Sequence, residues 1–274
     1  ALHLKENLVY LQHLKRLPNS FVAQVVSLQT ENGFYYSYFS NLAAAESTGA
    51  GLREVIWDTR SEYPDTLNAL RRFNIYQEVC LALLYRVLNN LGLAVVDAWD
   101  FFRYTMHLHT AMGQAMVALL SSEVSGNPVA GVACFLLSFL NRFQMSRFGT
   151  FSSGDLREHW GLPLLWMQTL LLWHLIKGAR GDGMHRRQLL WVGFGVTTFL
   201  FIVSWQFSPF LLLLQATAVY FVCLVCGYGA LRPTVEGLVD AYLIAFAAAV
   251  VVQFFSPYLL TSPFLAQAIG LRVA

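Results

Sequence analysis

Hydrophobic and polar residues are distributed unevenly along the chain, and the pattern changes near Asp100. Residues 1–99 mix charged and apolar positions, whereas residues 100–274 contain a succession of apolar stretches separated by short polar segments. Apolar stretches of roughly 20 residues are typical of membrane-spanning helices. The candidate spans are residues 101–120, 128–140, 161–176, 189–207, 210–229, 238–255 and 258–273.

These stretches predict an all-α, polytopic transmembrane protein with about six spans. An open sheet is excluded because its edges would leave unsatisfied hydrogen-bonding groups in lipid. Residues 128–140 cover only about 20 Å of a hydrocarbon core about 30 Å thick, so they form either a span lengthened by its flanks or a re-entrant piece. Residues 258–273 are interpreted as the beginning of a span that is cut off.

The first part of the chain predicts helices that pack or lie on a surface. A short amphipathic helix is expected before Pro18, and a second helix over residues 34–45, which residues 47–51 break. Residues 53–62 predict a mixed-charge loop, and residues 65–91 one long interfacial helix. The predicted domains are therefore residues 1–99, with these helices and an acidic-aromatic motif, and residues 100–274, a partial transmembrane bundle.

The composition agrees with a bilayer protein. Hydrophobic residues make up 56% of the 274 residues and charged residues only 12%, against about 25% in soluble domains. A net charge of +2 without a basic run excludes nucleic-acid binding as a function class. The chain begins with Ala1 and without a signal peptide, which suggests a fragment of a longer protein. Cys223 and Cys226 lie in an apolar run, which favours a buried structural role over a redox role.

Basic residues set the expected orientation. Lys177, Arg180, Arg186 and Arg187 mark the loop near residue 180 as cytoplasmic, which places residues 1–100 and 141–160 on the opposite side. The loop 141–160 nevertheless carries Arg142, Arg147 and Arg157. Either these arginines have an anionic partner or the orientation is wrong.

Several motifs resemble the Dpy-19-like protein C-mannosyltransferase family. The first is Thr30-Glu31-x-Gly33-x-Tyr35-Tyr36-Ser37-Tyr38, which resembles the family's first-luminal-loop motif. The resemblance extends over nearly the whole chain, and residues 74–88 and 200–215 look most like the fourth vertebrate paralogue branch. The further motifs are Glu62-Tyr63-Pro64, Arg72-Phe73-Asn74-Ile75-Tyr76-Gln77-Glu78-Val79, Leu156-Arg157-Glu158 and Trp205-Gln206-Phe207.

The resemblance implies a glycosyltransferase of the GT-C class in the endoplasmic reticulum membrane, with several membrane spans. Such enzymes transfer mannose from dolichyl phosphate mannose to carbon 2 of a tryptophan, in Trp-x-x-Trp motifs of nascent or unfolded secretory polypeptides. The implied partners are membrane lipids, the lipid-linked donor and the acceptor polypeptide, with no nucleic acid. No cofactor or metal is expected, and the absence of an Asp-x-Asp motif agrees with a lipid-monophosphate donor.

The resemblance assigns Glu31 as the catalytic base. Indole attack on the sugar leaves a proton on carbon 2 that must be removed, and a carboxylate beside aromatic side chains is suited to remove it. The alternative for Glu31 is a solvated acid at the start of a helix.

Arg147 and Arg157 are the candidates for binding the donor phosphate, since a phosphate leaving group needs cationic donors aimed at its oxygens. The alternative for each arginine is an ion pair with Glu158 or a lipid headgroup. The family pattern is close to Thr-Arg-x-x-Trp/Phe-Thr-x-Pro-Leu-Arg-Glu, whereas this chain lacks the proline and has a longer spacing between Ser146 and Glu158. The further candidates for donor and substrate binding are Tyr35, Tyr36, Trp205 and Gln206; Trp205 and Gln206 also suit an interfacial anchor.

Three functions compete at this point. A C-mannosyltransferase ranks first, and a catalytically inactive family member acting as a membrane scaffold or lipid-binding protein ranks second because of the divergent arginine loop. A transporter ranks last, since the acidic residues within residues 189–255, Glu236 and Asp240, both lie close to the end of a span.

Overall fold

A computed structural model describes residues 31–93, 96–147, 157–178, 184–226 and 228–273. The helix expected before Pro18 lies outside these residues. The described residues are mostly helical and, as predicted, contain no β-strand; one isolated backbone bridge joins Asp58 and Leu67. The helices are α1 (Asn32–Ala44), α2 (Thr48–Ile56), α3 (Ala69–Phe73), α4 (Tyr76–Asn90), α5 (Ala98–Ser125), α6 (Pro128–Arg147), α7 (Arg157–Lys177), α8 (Met184–Ser204), α9 (Ser208–Cys226), α10 (Tyr228–Val252), α11 (Pro257–Leu260) and α12 (Pro263–Val273).

Helix α1 agrees with the prediction. The break after it is shorter than the predicted residues 47–51, because α2 already begins at Thr48. The loop predicted over residues 53–62 is wrong in its first part, because α2 extends to Ile56. Ser47 initiates α2, and its hydroxyl oxygen accepts a hydrogen bond of 3.1 Å from the backbone N–H of Ala50. Val55 on α2 is buried, so packing stabilises a helix over residues 53–56, where the charged residues had favoured a loop.

The single helix predicted over residues 65–91 is also wrong. The chain instead forms α3 and α4, separated at Asn74, whose backbone is left-handed with φ 50°. Asparagine adopts this conformation more readily than most residues because its short side chain bonds locally or to the surrounding structure. The helical spacing of apolar residues continues on both sides of Asn74, so the sequence pattern gave no sign of the break there.

The described part of the chain divides into two compact units, of which the first comprises described residues within 31–69 and 75–163. Its core contains the buried side chains of Phe39 on α1 and of Trp99 and Phe102 on α5. Arg86 on α4 closes the carboxyl end of α1, since its Nη1 donates to the backbone carbonyls of residues 42, 43 and 45. Such a cation satisfies acceptors that the end of a helix leaves free.

Helices α5 and α6 of the first unit form a hairpin. Gly126 ends α5 with φ 66°, and the Asn127 side chain then accepts a hydrogen bond of 2.9 Å from the backbone N–H of Val129. Helix α6 has 20 residues, about 30 Å at 1.5 Å per residue, and so extends past the predicted stretch into the predicted loop 141–160. Its apolar part, Pro128–Leu140, is a shorter apolar helix, and the span expected there stays a prediction.

The second unit comprises residues 70–74 and 164–274. Buried polar side chains link its helices: the amides of Gln168 on α7 and Gln215 on α9 exchange hydrogen bonds of 2.9 Å, and the Tyr242 hydroxyl on α10 donates to Gln215 at 2.6 Å. Among the described residues, two helices are long and apolar enough to cross a membrane, Met184–Ser204 and Pro233–Val252. Two shorter helices are also apolar, Pro128–Leu140 of the first unit and Ser208–Val222.

Candidate active site

The centre of the candidate site is an ion pair buried in the first unit. Nη1 of Arg157 lies 3.0 and 2.9 Å from the two carboxylate oxygens of Glu78. Both side chains are removed from solvent, with 8% of Arg157 and 1% of Glu78 exposed. Arg157 is the first residue of α7, and Glu78 lies in the first turn of α4. Two of the motifs named above therefore meet in one interaction.

Tyr35 brings the first motif to the same place. The guanidinium carbon of Arg157 lies 3.4 Å from the centroid of the Tyr35 ring on α1. A guanidinium stacked on an aromatic face is held by the ring's negative potential and loses little hydration, which makes Arg suited to this position. The ring and Glu78 together fix both the plane and the direction of the guanidinium.

The remaining donors of Arg157 are buried and unused. Its Nε and Nη2 have no hydrogen-bond partner among the described residues. These two nitrogens form one edge of the planar group, and such an edge matches two oxygens of a carboxylate or phosphate. Burial raises the pKa of the Glu78 carboxyl above its usual value, and the charge and hydrogen bonds of Arg157 oppose that rise.

Glu31, the predicted base, is exposed at the start of α1. Its backbone carbonyl accepts hydrogen bonds from the N–H groups of Phe34 at 3.1 Å and Tyr35 at 3.2 Å, and its side chain does not cap the helix. Glu31 thus lies one helical turn before the ring that stacks on Arg157. Tyr38 and Phe39 of the same helix are buried in the core, and the role of the Glu31 carboxylate as a base stays a prediction.

The other tyrosines of the first motif have packing partners. The Tyr36 ring lies 5.0 Å from that of Trp99 and 5.2 Å from that of Phe102, measured between centroids. The Tyr38 hydroxyl donates to the carboxylate of Asp58, which also accepts from the hydroxyl of Ser61. Asp58 is 2% exposed, and sequence reasoning gave no reason to select it. An aspartate before a turn is too common a pattern to identify it.

Burial raises the pKa of the Asp58 carboxyl, but the hydrogen bonds from Ser61, Tyr38 and the backbone N–H groups of Arg60 and Ser61 outweigh burial, so that this pKa lies below its ordinary value. The pKa of Tyr38 is raised, first by burial and then by its bond to Asp58. These shifts describe a stable structural pair, which holds the loop after α2 against α1.

Trp205 and Gln206 belong to the second unit. The amide nitrogen of Gln206 donates a hydrogen bond of 2.8 Å to the backbone carbonyl of Arg72, and the Trp205 ring lies 5.9 Å from that of Phe207. Arg147 ends α6, and its side chain and residues 148–156 lie outside the described part of the chain. The convergence of all the predicted residues on one pocket therefore stays a prediction, while Tyr35 and Arg157 do meet.

Asn74 connects α3 to the second unit. It is fully buried, and its amide nitrogen donates to the Ile202 carbonyl at 3.2 Å and lies 2.9 Å from the Tyr258 hydroxyl oxygen. The Tyr258 hydroxyl also lies 2.6 Å from Oε1 of Gln253. The motif that contains Asn74 and Glu78 thus contributes one residue to each unit.

The described residues contain no group of three or more His, Cys, Asp or Glu side chains that could hold a metal ion. His109 has its Nε2 at 2.9 Å from the Trp160 carbonyl oxygen. The site is thus built from a carboxylate, a guanidinium and aromatic rings.

A family model described as "Dpy19: Q-cell neuroblast polarisation" matches residues 6–274. The chain belongs to the Dpy19 family. Among the curated relatives, human "Protein C-mannosyl-transferase DPY19L1" is 27% identical over 285 residues, which cover 95% of this chain and 40% of the relative. "C-mannosyltransferase dpy-19" of Caenorhabditis elegans is 26% identical over 219 residues, covering 71% of this chain and 31% of the relative.

The chain does resemble the fourth vertebrate paralogue branch, but the expectation that it resembles this branch most was wrong. Human "Probable C-mannosyltransferase DPY19L4" is 24% identical over 252 residues, covering 91% of this chain and 33% of the relative, which is less than for DPY19L1. The resemblance of two short stretches did not represent the whole chain. The chain spans less than half the length of these Dpy19 relatives.

Proposed function

We propose that the full-length protein is a C-mannosyltransferase that transfers mannose from dolichyl phosphate mannose to carbon 2 of tryptophan in Trp-x-x-Trp motifs. Support comes from its Dpy19 relatives, which are named as C-mannosyltransferases, and from the family match over residues 6–274. The acceptors are nascent or unfolded secretory polypeptides. The alternative of an inactive scaffold gains no support from these relatives, which are named as transferases.

The observation that carries this proposal is the meeting of Tyr35, Glu78 and Arg157. Each belongs to a different motif, and Arg157 stacks on Tyr35 and binds Glu78 in one buried cluster. The free edge of Arg157 offers two donors with the spacing that phosphate oxygens require. Such a group stabilises a departing phosphate better in a dry site than in water, because the donors need no reorganisation.

In the proposed reaction, carbon 2 of the indole attacks the anomeric carbon of mannose. The carbon–carbon bond forms as the bond from the anomeric carbon to the phosphate oxygen breaks, and dolichyl phosphate leaves with that electron pair. Glu31 then accepts the proton from carbon 2, and the indole regains its aromatic electrons. Arg157, together with Arg147, binds the charge that develops on the leaving phosphate. The family resemblance suggests Tyr35, Tyr36, Trp205 and Gln206 as further residues for donor or substrate binding.

We place the protein in the endoplasmic reticulum membrane with several spans. The helices Met184–Ser204 and Pro233–Val252 support the membrane part of this proposal, since each has the length and hydropathy of a span. A lipid-linked donor requires an enzyme at the membrane, and its dolichyl chain lies in the bilayer. No metal is required, because the donor carries a single phosphate.

The test is a transfer assay with the purified full-length protein, dolichyl phosphate mannose and a Trp-x-x-Trp peptide. We expect a mannosylated peptide whose sugar is retained under conditions that cleave O- and N-linked glycans, since a carbon–carbon bond resists hydrolysis. The same assay with human DPY19L1 serves as the reference reaction. Absence of product with this protein, while the reference reaction proceeds and the protein remains folded, would overturn the proposal.

A further inference from the structure

Glu78 uses only one nitrogen of the Arg157 guanidinium. Both of its oxygens bind Nη1, at 3.0 and 2.9 Å, although an Arg–carboxylate pair commonly uses two nitrogens. The edge formed by Nε and Nη2 is thereby left without a partner among the described residues, in a side chain that is 8% exposed. Glu78 thus accepts hydrogen bonds from Nη1 alone and leaves the other nitrogens of the guanidinium available to a ligand.

We propose that Glu78 is a positioning residue, which orients the Nε and Nη2 edge of Arg157 toward the phosphate of the lipid-linked donor. This inference rests on the proposed function. An arginine side chain has several rotatable bonds, and holding it in a single geometry before the donor arrives lowers the entropy lost on binding. The Tyr35 ring fixes the face of the guanidinium, and Glu78 fixes its direction within that plane.

Stability alone is a poor explanation for this pair. Desolvating two charges offsets most of their attraction, so that apolar side chains of similar size often stabilise a fold equally well. The buried Nε and Nη2 donors without partners make the arrangement less favourable still. The Glu78–Arg157 pair therefore contributes little stability by itself, and it leaves the Nε and Nη2 donors of Arg157 free of protein partners among the described residues. Both properties are expected of a site that binds an oxyanion.

The position of Arg157 adds to this argument. It is the first residue of α7, a helix of 21 residues, whose first N–H groups and dipole favour an anion. The helix start alone would not identify a site. The buried, partner-free donors of Arg157 in the same turn provide the independent observation.

Positioning and simple electrostatics make opposite predictions for Glu78→Gln. If only charge mattered, removing the Glu78 carboxylate would leave Arg157 more positive and strengthen donor binding. If Glu78 orients Arg157, its replacement releases the guanidinium and weakens donor binding. We expect the KM for dolichyl phosphate mannose to rise about tenfold, the loss typical of a charge-assisted hydrogen bond, with the KM for the acceptor peptide unchanged.

The experiment uses the full-length protein and measures the two KM values, kcat, and direct binding of dolichyl phosphate. The matched control is Glu54→Gln, which removes the acid from an exposed ion pair with Arg60 at 3.5 Å in the same unit, and which should change none of these. Glu78→Asp keeps the charge but withdraws the carboxylate by one methylene. It should raise the donor KM by less than Glu78→Gln does, and it provides the same test if Glu78→Gln does not fold.

A double-mutant cycle separates positioning from general damage. If Glu78 acts through Arg157, Glu78→Gln should have little further effect on dolichyl phosphate binding in an Arg157→Lys background. Additive effects would overturn the inference, as would a donor KM that stays at the wild-type value or falls in both Glu78 variants.

The outcomes also separate this inference from the proposed function. A wild-type protein that transfers no mannose, but binds dolichyl phosphate in a manner that depends on Glu78, would contradict the proposed function and support the positioning role. A wild-type protein that transfers mannose, with Glu78 variants of normal donor KM, would support the function and contradict the positioning role.

Discussion

Glu78 and Arg157 are separated by 79 positions in the chain, yet both carboxylate oxygens of Glu78 bind the same nitrogen of Arg157. Glu78 lies four residues after Asn74, the break that separates α3 from α4. The start of α4 therefore determines the position of the Glu78 carboxylate, and the start of α7 determines the position of the Arg157 guanidinium. Because each partner is at the first turn of a helix, small changes at either helix start would alter the pair.

The first prediction concerns Glu31. We expect Glu31→Gln to lower mannosyl transfer by about 100-fold or more, because the amide cannot accept the indole proton. Since Glu31 is exposed, its replacement should change the free energy of unfolding by less than about 0.5 kcal/mol and leave dolichyl phosphate binding intact. Steady-state transfer rates, thermal unfolding and donor binding test this.

Glu46→Gln is the control for Glu31, since Glu46 is an exposed acid just beyond the other end of the same helix. It should retain full activity. Wild-type turnover in Glu31→Gln would remove Glu31 from the mechanism, while the Arg157 cluster would remain a candidate for binding phosphate.

The second prediction concerns Tyr35. We expect Tyr35→Leu to raise the donor KM about fivefold, because the Arg157 guanidinium loses a cation–π contact of about 1 kcal/mol. Tyr35→Phe keeps the ring and should behave as the wild type, unless the hydroxyl itself contacts substrate. A normal donor KM in Tyr35→Leu would show that stacking does not orient Arg157.

Tyr36 offers a comparison from the next position. Its ring packs against Trp99 and Phe102, so Tyr36→Leu should lower the free energy of unfolding by about 1–3 kcal/mol and the melting temperature with it. The two leucine variants thus separate a contact with Arg157 from a contact with the core. Equal loss of stability in both would contradict this distinction.

The sequence predicted the helical class and the position of α1 because both depend on local patterns. Hydrophobic periodicity and a capping serine are local signals, and Ser47 does separate α1 from α2, although Gly49 and Gly51 lie within α2. The separation of α3 from α4 was not predictable in this way. It depends on Asn74, whose buried partner Ile202 lies 128 positions away and compensates for a left-handed backbone that a continuous helix would avoid.

The same limit applies to the candidate site. Family motifs identified Tyr35 and Arg157 separately, but no spacing rule relates residues on α1, α4 and α7. Glu78 was quoted within a motif without a role, because an acid on a helix among apolar residues usually faces solvent. Only its 1% exposure and its bonds to Arg157 distinguish it from a surface acid.

The third prediction concerns pH. The pKa of Asp58 is lowered in the folded protein, so its ionised form contributes stability above the unfolded pKa of about 3.9, and this contribution is lost as pH falls through the lower folded pKa. Asp58→Asn should therefore lower the melting temperature at pH 7, and its difference from the wild type should narrow below about pH 4.

Melting temperatures measured from pH 7 to pH 3 test the role of Asp58. Tyr38→Phe removes one donor to its carboxylate while keeping the buried ring, and should reduce both the stability at pH 7 and its dependence on pH. A difference between Asp58→Asn and the wild type that stays constant over this range would contradict the linkage.

The fourth prediction concerns Asn74. Asn74→Gly keeps access to the left-handed backbone but loses the hydrogen bonds to Ile202 and Tyr258, so we expect a loss of about 2–3 kcal/mol in the free energy of unfolding. Asn74→Ala loses the same bonds and also forces a β-carbon into φ 50°, which adds about 1 kcal/mol. Thermal or denaturant unfolding in detergent measures both losses.

Asn90→Ala is the control for Asn74. Asn90 is exposed at the end of α4, so this variant should change the free energy of unfolding little. Equal losses of unfolding free energy in Asn74→Gly and Asn74→Ala would show that a β-carbon in the left-handed backbone at this position has no cost of its own. A negligible loss in both would mean that the hydrogen bonds of Asn74 do not hold α3 in the second unit.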